Sequence, residues 1–234
     1  VDDPDRHAIA VEGGAWWLDV VRHLRGHGHR PEVLTDNLRT SIAGTLAVGG
    51  FGDRSHVAGL QIESVTHLVL VTADGETRRV GPGDPLFGAW LAGGGRLGAL
   101  AEVGLRTIAR GNALAGSLIE WDDLGRFVDD ALRIRADRRF DFLRVTRDWR
   151  RGVIAAIAAN FRDDVRDDAD RAALVGLRPA RVLPLPPSDR IAHAEETDPI
   201  ERWTYACPAL ELVFPLPDGL DALESVAASV EATG

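Results

Sequence analysis

The chain has 234 residues, 45% of them hydrophobic, and a formal charge of −9 from 27 basic and 36 acidic side chains. That size and apolar content support a globular protein with a sizeable core, and the dispersed acidic excess argues against nucleic acid as a partner. The longest uncharged apolar runs, such as "GVIAAIAANF" at 152–161, are about half of what a bilayer-spanning helix requires, so no membrane span is expected.

Every basic residue is arginine, and lysine and methionine are absent, a bias toward GC-rich codons that suggests a bacterial origin. The single cysteine, Cys207, excludes an internal disulfide and a cysteine-built zinc site. Together with the lack of an apolar leader in "VDDPDRHAIAVEGG", it points to a reducing, cytoplasmic setting. A first residue other than methionine implies a processed chain or part of a longer one.

Residues 7–11 read as a short strand. After Gly13 and Gly14 a helix is expected over 15–24, with Trp16, Val20, Val21 and Leu24 on one face and Gly26 and Gly28 as its stop. The next stretch, "TDNLRTSIAGTLAVGGFGDRSHVAGLQ" at 35–61, has five glycines, no helical period and only scraps of strand alternation. Glycine loses the most conformational freedom on folding, so such a cluster implies positive-φ turns or close approach of backbone to a ligand. From 65 the pattern becomes a hairpin: an apolar strand over 65–72, a turn at Asp74-Gly75 and a second strand over 77–80. Asp84-Pro85 is a helix N-cap followed by proline at the first helical position. The helix it opens runs to 91 and breaks at Gly93-Gly94-Gly95, and a strand over 101–108 follows.

Composition then shifts to strand, helix (122–135), strand and strand, a second module of antiparallel sheet and covering helices. The charged and then proline-rich segment 162–197 suits a surface excursion or lid. Order is expected to return at "PALELVFPLP" (208–217) and in a helix over 220–230. The expected class is α+β in two parts, 1–112 and 113–234.

Four motifs stand in order over residues 12–108: "VEGGAWWLDVVRHLRGHGHRP", "TDNLRTSIAGTLAVGG", "HVAGLQIESVTHLVLVTADGE" and "DPLFGAWLAGGGRLGALAEVGL". This series resembles the latter half of the FAD-binding domain of flavoproteins of the vanillyl-alcohol-oxidase (PCMH) type, and among them the cytokinin dehydrogenases and their bacterial FAD-linked relatives. Those carry a similar Trp-Thr-Asp, Gly-Gly-Thr-Leu, Gly-Leu-Gln and Gly-Gly-Leu-Gly-Gln-Phe-Gly series. More weakly, "RFDFLRVTRDW" and "PALELVFPLP" resemble the family's substrate domain.

The resemblance implies FAD as cofactor. By position, the family's cofactor contacts fall on Asp36, Ser41, Gly44, Thr45, Ala47, Phe51, Gly98 and Leu100. Backbone N–H groups in glycine-rich turns suit the pyrophosphate of such a ligand. It also implies that Asp36 takes a proton from the substrate as hydride leaves, a role that suits a carboxylate in an apolar pocket. The residue-level alternative is that Asp36 caps the turn that follows it. Two departures are visible. Ala43-Gly44-Thr45-Leu46-Ala47 replaces Gly-Gly-Thr-Leu-Ser, and Gly95-Arg96-Leu97-Gly98 replaces Gly-Gln-Phe-Gly. The family's upstream Gly-Arg-Gly-His-type loop, which wraps the pyrophosphate and often links the flavin covalently, is not among these residues, nor is its C-terminal closing segment; none of the seven histidines lies in such a loop.

Three functions remain open at this point: a flavin-dependent oxidoreductase acting on a small molecule, a cofactor-free relative using the old pocket for a cyclisation or isomerisation, and a non-catalytic subunit. No metal site is expected, since His23, His27 and His29 follow a helix end as solvated, dipole-compatible groups. Trp16 and Trp17 are expected in the core. Trp121, Trp149, Trp203 and Tyr205 are candidates to line a substrate pocket. Arg147, Asp148 and Arg150 suit a solvated strand end, and Glu211 on an alternating strand could face either way. Oligomeric state is not readable.

Overall fold

The computed structural model describes residues 6–52, 54–109, 113–148, 151–162, 173–185 and 188–189, all within one compact unit. Two five-stranded antiparallel sheets organise it.

The first sheet is built around β5 (Ala99–Ala109), the strand expected over 101–108. β1 (Arg6–Glu12) pairs along one side of it from Arg6↔Ile108 to Glu12↔Glu102. β3 (Val65–Val71) takes the other side, and β4 (Thr77–Val80) joins β3 through the expected hairpin, whose Gly75 has φ 82. β3 leaves β5 at Leu105, and the short β2 (His29–Pro31) pairs with residues 107–109 beyond it.

α1 (Trp17–Arg25) packs one face on this sheet through Trp17, Leu18, Val20, Val21 and Leu24. It starts two residues later than the sequence suggests, and the shift reverses part of the Trp reading. Trp17 is buried, whereas Trp16 occupies the N-cap and is 48% exposed. α4 (Pro85–Trp90) begins as expected, with the Asp84 carboxylate accepting from the Leu86 N–H at 2.8 Å.

The glycine-rich stretch is more ordered than its pattern indicates: it contains α2 (Ile42–Ala47), α3 (Ser55–Ala58) and a 3-10 turn at Gln61–Ser64. Isolated helices this short are unstable in water, and α2 is held from outside. Its first two amides donate to the carbonyls of Ala15 and Gly13, both at 2.9 Å. Segment 38–43 returns the support, with the carbonyls of Thr40 and Leu38 accepting from Trp17 and Leu18 at the start of α1.

The second sheet centres on β6 (Ala113–Trp121) and β8 (Val153–Arg162), with β7 (Phe142–Asp148) beside β8. α5 (Leu124–Asp137) covers one face, started by the Asp123 carboxylate on the Arg126 N–H. Under it Trp121 is 1% exposed, stacks edge-on with Phe127 and donates Nε1–H to the buried Asp130 carboxylate at 2.9 Å. Trp121 is therefore a core residue, not a pocket-lining one. The segment read as a lid also departs from expectation, because β9 (Arg181–Pro184) adds to the edge of β6 and β10 (Ser188–Asp189) pairs with its start. Pro184 is tolerated there because an edge strand has one unpaired side. Trp149, Arg150, Trp203, Tyr205, Cys207, Glu211 and the helix expected over 220–230 lie outside the described residues.

A polar seam joins the sheets. The guanidinium of Arg30, on β2 and 1% exposed, lies 3.2 Å from the centre of the Phe161 ring on β8. The ring nitrogen Nε2 of His56 is 2.9 Å from the Phe140 carbonyl, and Arg54 approaches Asp141 at 3.8 Å.

Candidate functional site

Most of the positions singled out as cofactor contacts gather around α2. The Ser41 hydroxyl is its N-cap and accepts from the Gly44 N–H at 3.2 Å. The Thr45 N–H donates to the Ser41 carbonyl. With Ile42 and Ala43 already bonded to Ala15 and Gly13, every amide of the first turn is used within the chain. The Thr45 hydroxyl is engaged as well, accepting from Trp17 Nε1 at 2.8 Å and donating to the Ile42 carbonyl at 3.2 Å.

The second glycine cluster is locked to the other end of the same helix. Ala92 N–H donates to the Leu46 carbonyl at 3.0 Å, and Gly94 N–H to the Ala47 carbonyl at 2.8 Å. To make this docking, Ala92 adopts a left-handed φ of 56, a conformation that costs a non-glycine residue of order 1 kcal/mol. Gly98, at φ 124, passes so close to β3 that a Cβ there would lie 2.6 Å from the Val71 carbonyl oxygen; its own carbonyl accepts from Trp90 Nε1. Leu100 packs its side chain on the core, and Gly13 is seated on its carbonyl. The chain path Leu100, Gly13, α2 and the 92–98 loop thus forms one continuous wall.

Not all the glycines of 35–61 face a ligand. A Cβ on Gly52 would lie 2.0 Å from the Leu34 carbonyl oxygen, and one on Gly50 would strike the buried Gln61 side chain. Both are small because the chain folds back on itself there. Gly44 is different: it is exposed, with only the Ser41 hydroxyl near its missing Cβ. Phe51 is 42% exposed beside this turn.

The wall offers donors to a polyanionic ligand. The backbone N–H groups of Gly14, Gly50, Phe51, Gly95 and Arg96 make no hydrogen bond among the described residues, and the exposed Arg96 guanidinium makes no ion pair among them. Exposed amides beside glycines and an available guanidinium fit a pyrophosphate. The residues present therefore fit FAD, with available amides in the loops on either side of α2.

Residues 1–81 match the family model described as the FAD binding domain. Over that stretch the chain is similar to an FAD-binding domain. It is 34% identical over 176 residues to "uncharacterized oxidoreductase ORF5 in fasciation locus" of Rhodococcoides fascians, an overlap of 73% of this chain and 40% of that protein. It is 32% identical over 128 residues to cytokinin dehydrogenase 10 of Oryza sativa subsp. japonica, covering 54% of this chain and 23% of the relative. With cytokinin dehydrogenase 5 of Arabidopsis thaliana it shares 34% over 101 residues, 42% of this chain and 19% of that one. The chain thus spans less than half the length of each of these relatives.

Asp36 lies apart from the α2 cluster, at the seam with the second sheet. Its carboxylate is 3.0 Å from Arg144 Nη1 on β7, and both side chains are about half exposed. The turn that follows is made by Asn37, whose side-chain oxygen accepts from the Arg39 N–H at 2.9 Å. Asp36 is thus set toward the second sheet and not enclosed by apolar side chains. Arg144 was not legible as a site residue, although one signal was present: strand alternation puts it on the same face as the buried Phe142, where an apolar residue would be expected.

The remaining candidates are not part of this arrangement. His23 and His27 rings pack 4.8 Å apart at the end of α1, and no group of three or more potential metal ligands occurs among the described residues. Arg147 is half-buried, not solvated. A shallow depression between β1 and α1, lined by Ile9, Val11, Asp19 and His23, contains none of the site residues. No described helix is long and apolar enough to cross a membrane.

Proposed function

We propose that the protein is an FAD-dependent oxidoreductase acting on a small organic substrate, with the first sheet serving the cofactor and the second the substrate. FAD, when bound, supplies the hydride acceptor. The observation that carries this reading is the docking of the 92–98 loop on the carbonyls of Leu46 and Ala47. It places the available amides of Gly95 and Arg96 on the same wall as those of Gly50 and Phe51. In this reading Asp36 accepts the proton that leaves the substrate's N–H or O–H, and the seam keeps it next to the face of the second sheet on which the substrate lies.

An absorption spectrum of the purified full-length protein tests the cofactor. Flavin bands in the visible and near-ultraviolet are expected, either as isolated or after incubation with FAD. A colourless protein that also fails to take up FAD would favour the cofactor-free reading, which draws on the internal use of all the first-turn amides of α2. Asp36→Asn should keep the fold and the flavin but lose most turnover, on the order of 100-fold or more for a general base; unchanged turnover would remove Asp36 from the chemistry.

A further inference from the structure

We infer that Arg144 is a specificity residue that binds a carboxylate on the substrate, so that the substrate class is organic acids; this rests on the oxidoreductase reading and on Asp36 as its proton acceptor. The Asp36–Arg144 pair is made at 3.0 Å, with both side chains about half exposed. Exposed pairs of this kind are worth about 0–1 kcal/mol, so an incoming anion exchanges with Asp36 at little cost. An arginine fork takes a carboxylate in two parallel hydrogen bonds, a geometry that one substrate group can reproduce.

The surroundings of Arg144 suit such a ligand. Register places Ile157 opposite Arg144 on β8, Leu118 next on β6 and Leu183 next on β9. These side chains share the face of the sheet away from α5, and all three are half-buried. A substrate with an apolar body would lie across this row with its anionic end at Arg144.

A second guanidinium stands nearby. Arg54 is 9% exposed, its Nε has no hydrogen-bond partner among the described residues, and its closest carboxylate, Asp141, is at 3.8 Å, three residues before Arg144. Gly52, two residues before Arg54, packs on Leu34 and Thr35, which lead directly into Asp36. The positive charge at this point of the seam is therefore not confined to one surface side chain.

The exchange also provides the base. While paired with Arg144, Asp36 has its lone pairs directed at the guanidinium. Once the substrate carboxylate takes that guanidinium, the Asp36 carboxylate stands beside the substrate instead of facing Arg144. Asp36 would then accept the substrate's N–H or O–H proton, and bound FAD would supply the acceptor for the hydride of the adjacent C–H, so that a C=N or C=O double bond is left.

Calorimetric titration of the full-length protein with benzoate and with benzamide, in the presence and absence of FAD, tests the inference. The two probes share shape and differ in charge. Benzoate is expected to bind at least about tenfold more tightly, the effect of one charge-assisted contact. Arg144→Gln should abolish the difference, Arg144→Lys should restore part of it, and Asp36→Asn should tighten benzoate by removing its competitor. Equal affinities, no benzoate binding at millimolar concentration, or a preference that survives in Arg144→Gln would overturn the inference. Absence of FAD binding in the same titrations would instead count against the oxidoreductase reading, because the benzoate preference is measured without FAD as well.

Discussion

Thr45 allows the structural and cofactor roles of the α2 wall to be separated. Its hydroxyl accepts from Trp17 Nε1 at 2.8 Å and donates to the Ile42 carbonyl at 3.2 Å, and Trp17 is 1% exposed. Thr45→Val keeps the branched shape and a similar helix propensity but leaves a core N–H with no acceptor. A buried donor stranded in this way costs about 1–3 kcal/mol. With a urea dependence of about 2 kcal/mol per molar, the unfolding midpoint should fall by roughly 0.5–1.5 M. Thr45→Ser keeps the oxygen and should recover most of the loss. Both should still bind FAD, and FAD at 100 times its Kd should add about 2.7 kcal/mol to each folded state. If Thr45→Val unfolds at the wild-type midpoint without FAD and only FAD affinity falls, the hydroxyl serves the cofactor and not Trp17, and the bonding pattern described for α2 is wrong.

Two further predictions concern glycine and pH. Gly52→Ala forces a Cβ to within 2.0 Å of the Leu34 carbonyl oxygen, and overpacking of this kind costs about 2 kcal/mol, a fall of roughly 4–8 °C in melting temperature. Gly44→Ala has open space apart from the Ser41 hydroxyl, so its apo stability should stay within about 1 kcal/mol while FAD affinity reports any backbone contact there; a Gly44 variant as unstable as the Gly52 one would contradict the distinction. The hydrogen bond from the Arg139 guanidinium holds the Asp137 carboxyl below its ordinary value. A lowered folded value contributes stability that is complete above the unfolded aspartate value of about 4 and is lost as pH falls through the folded one. Urea unfolding from pH 6 down to pH 2 should therefore show a steeper acid decline in the wild type than in Asp137→Asn, and parallel curves would refute it.

Local elements were legible because their causes are local. The 65–80 hairpin is specified by an alternating strand and a turn glycine at positive φ, and α4 by its Asp-Pro start. α1 was legible as an amphipathic helix, but its first turn was not, because carbonyls of Thr40 and Leu38 decide where it begins. α2 left no period to detect, since six residues cannot show one and its amides are held by Ala15, Gly13 and Ser41. β9 hid among prolines because an edge strand needs donors on one side only. Of the site, the residues carried by the family resemblance were nameable, but their division was not. Asp36 meets its arginine through a seam between segments far apart in sequence, and no local pattern encodes that pairing.

The glycine-rich segment holds two kinds of position whose sequence appearance is the same. At Gly50 and Gly52 the missing side chain is filled by Gln61 and by the Leu34 backbone, so glycine is demanded by the fold whether or not a ligand binds. At Gly44 only the Ser41 hydroxyl lies near the missing Cβ, whereas Gly95, in the second glycine cluster, has open space but a φ of 71 that itself favours glycine. Selection for folding alone would let alanine, the best helix former, replace Gly44 in the middle of α2. Gly52, packed on Leu34 and Thr35, shapes the approach to Asp36, and the exposed Gly44 and Gly95 leave backbone open on either side of α2. A cofactor wall of this form is shaped by its inward glycines and read by its outward ones, which is why a bound dinucleotide should protect the amides of Gly50, Phe51, Gly95 and Arg96 from hydrogen exchange and leave those of Ile42 and Ala43, already bonded within the chain, unchanged.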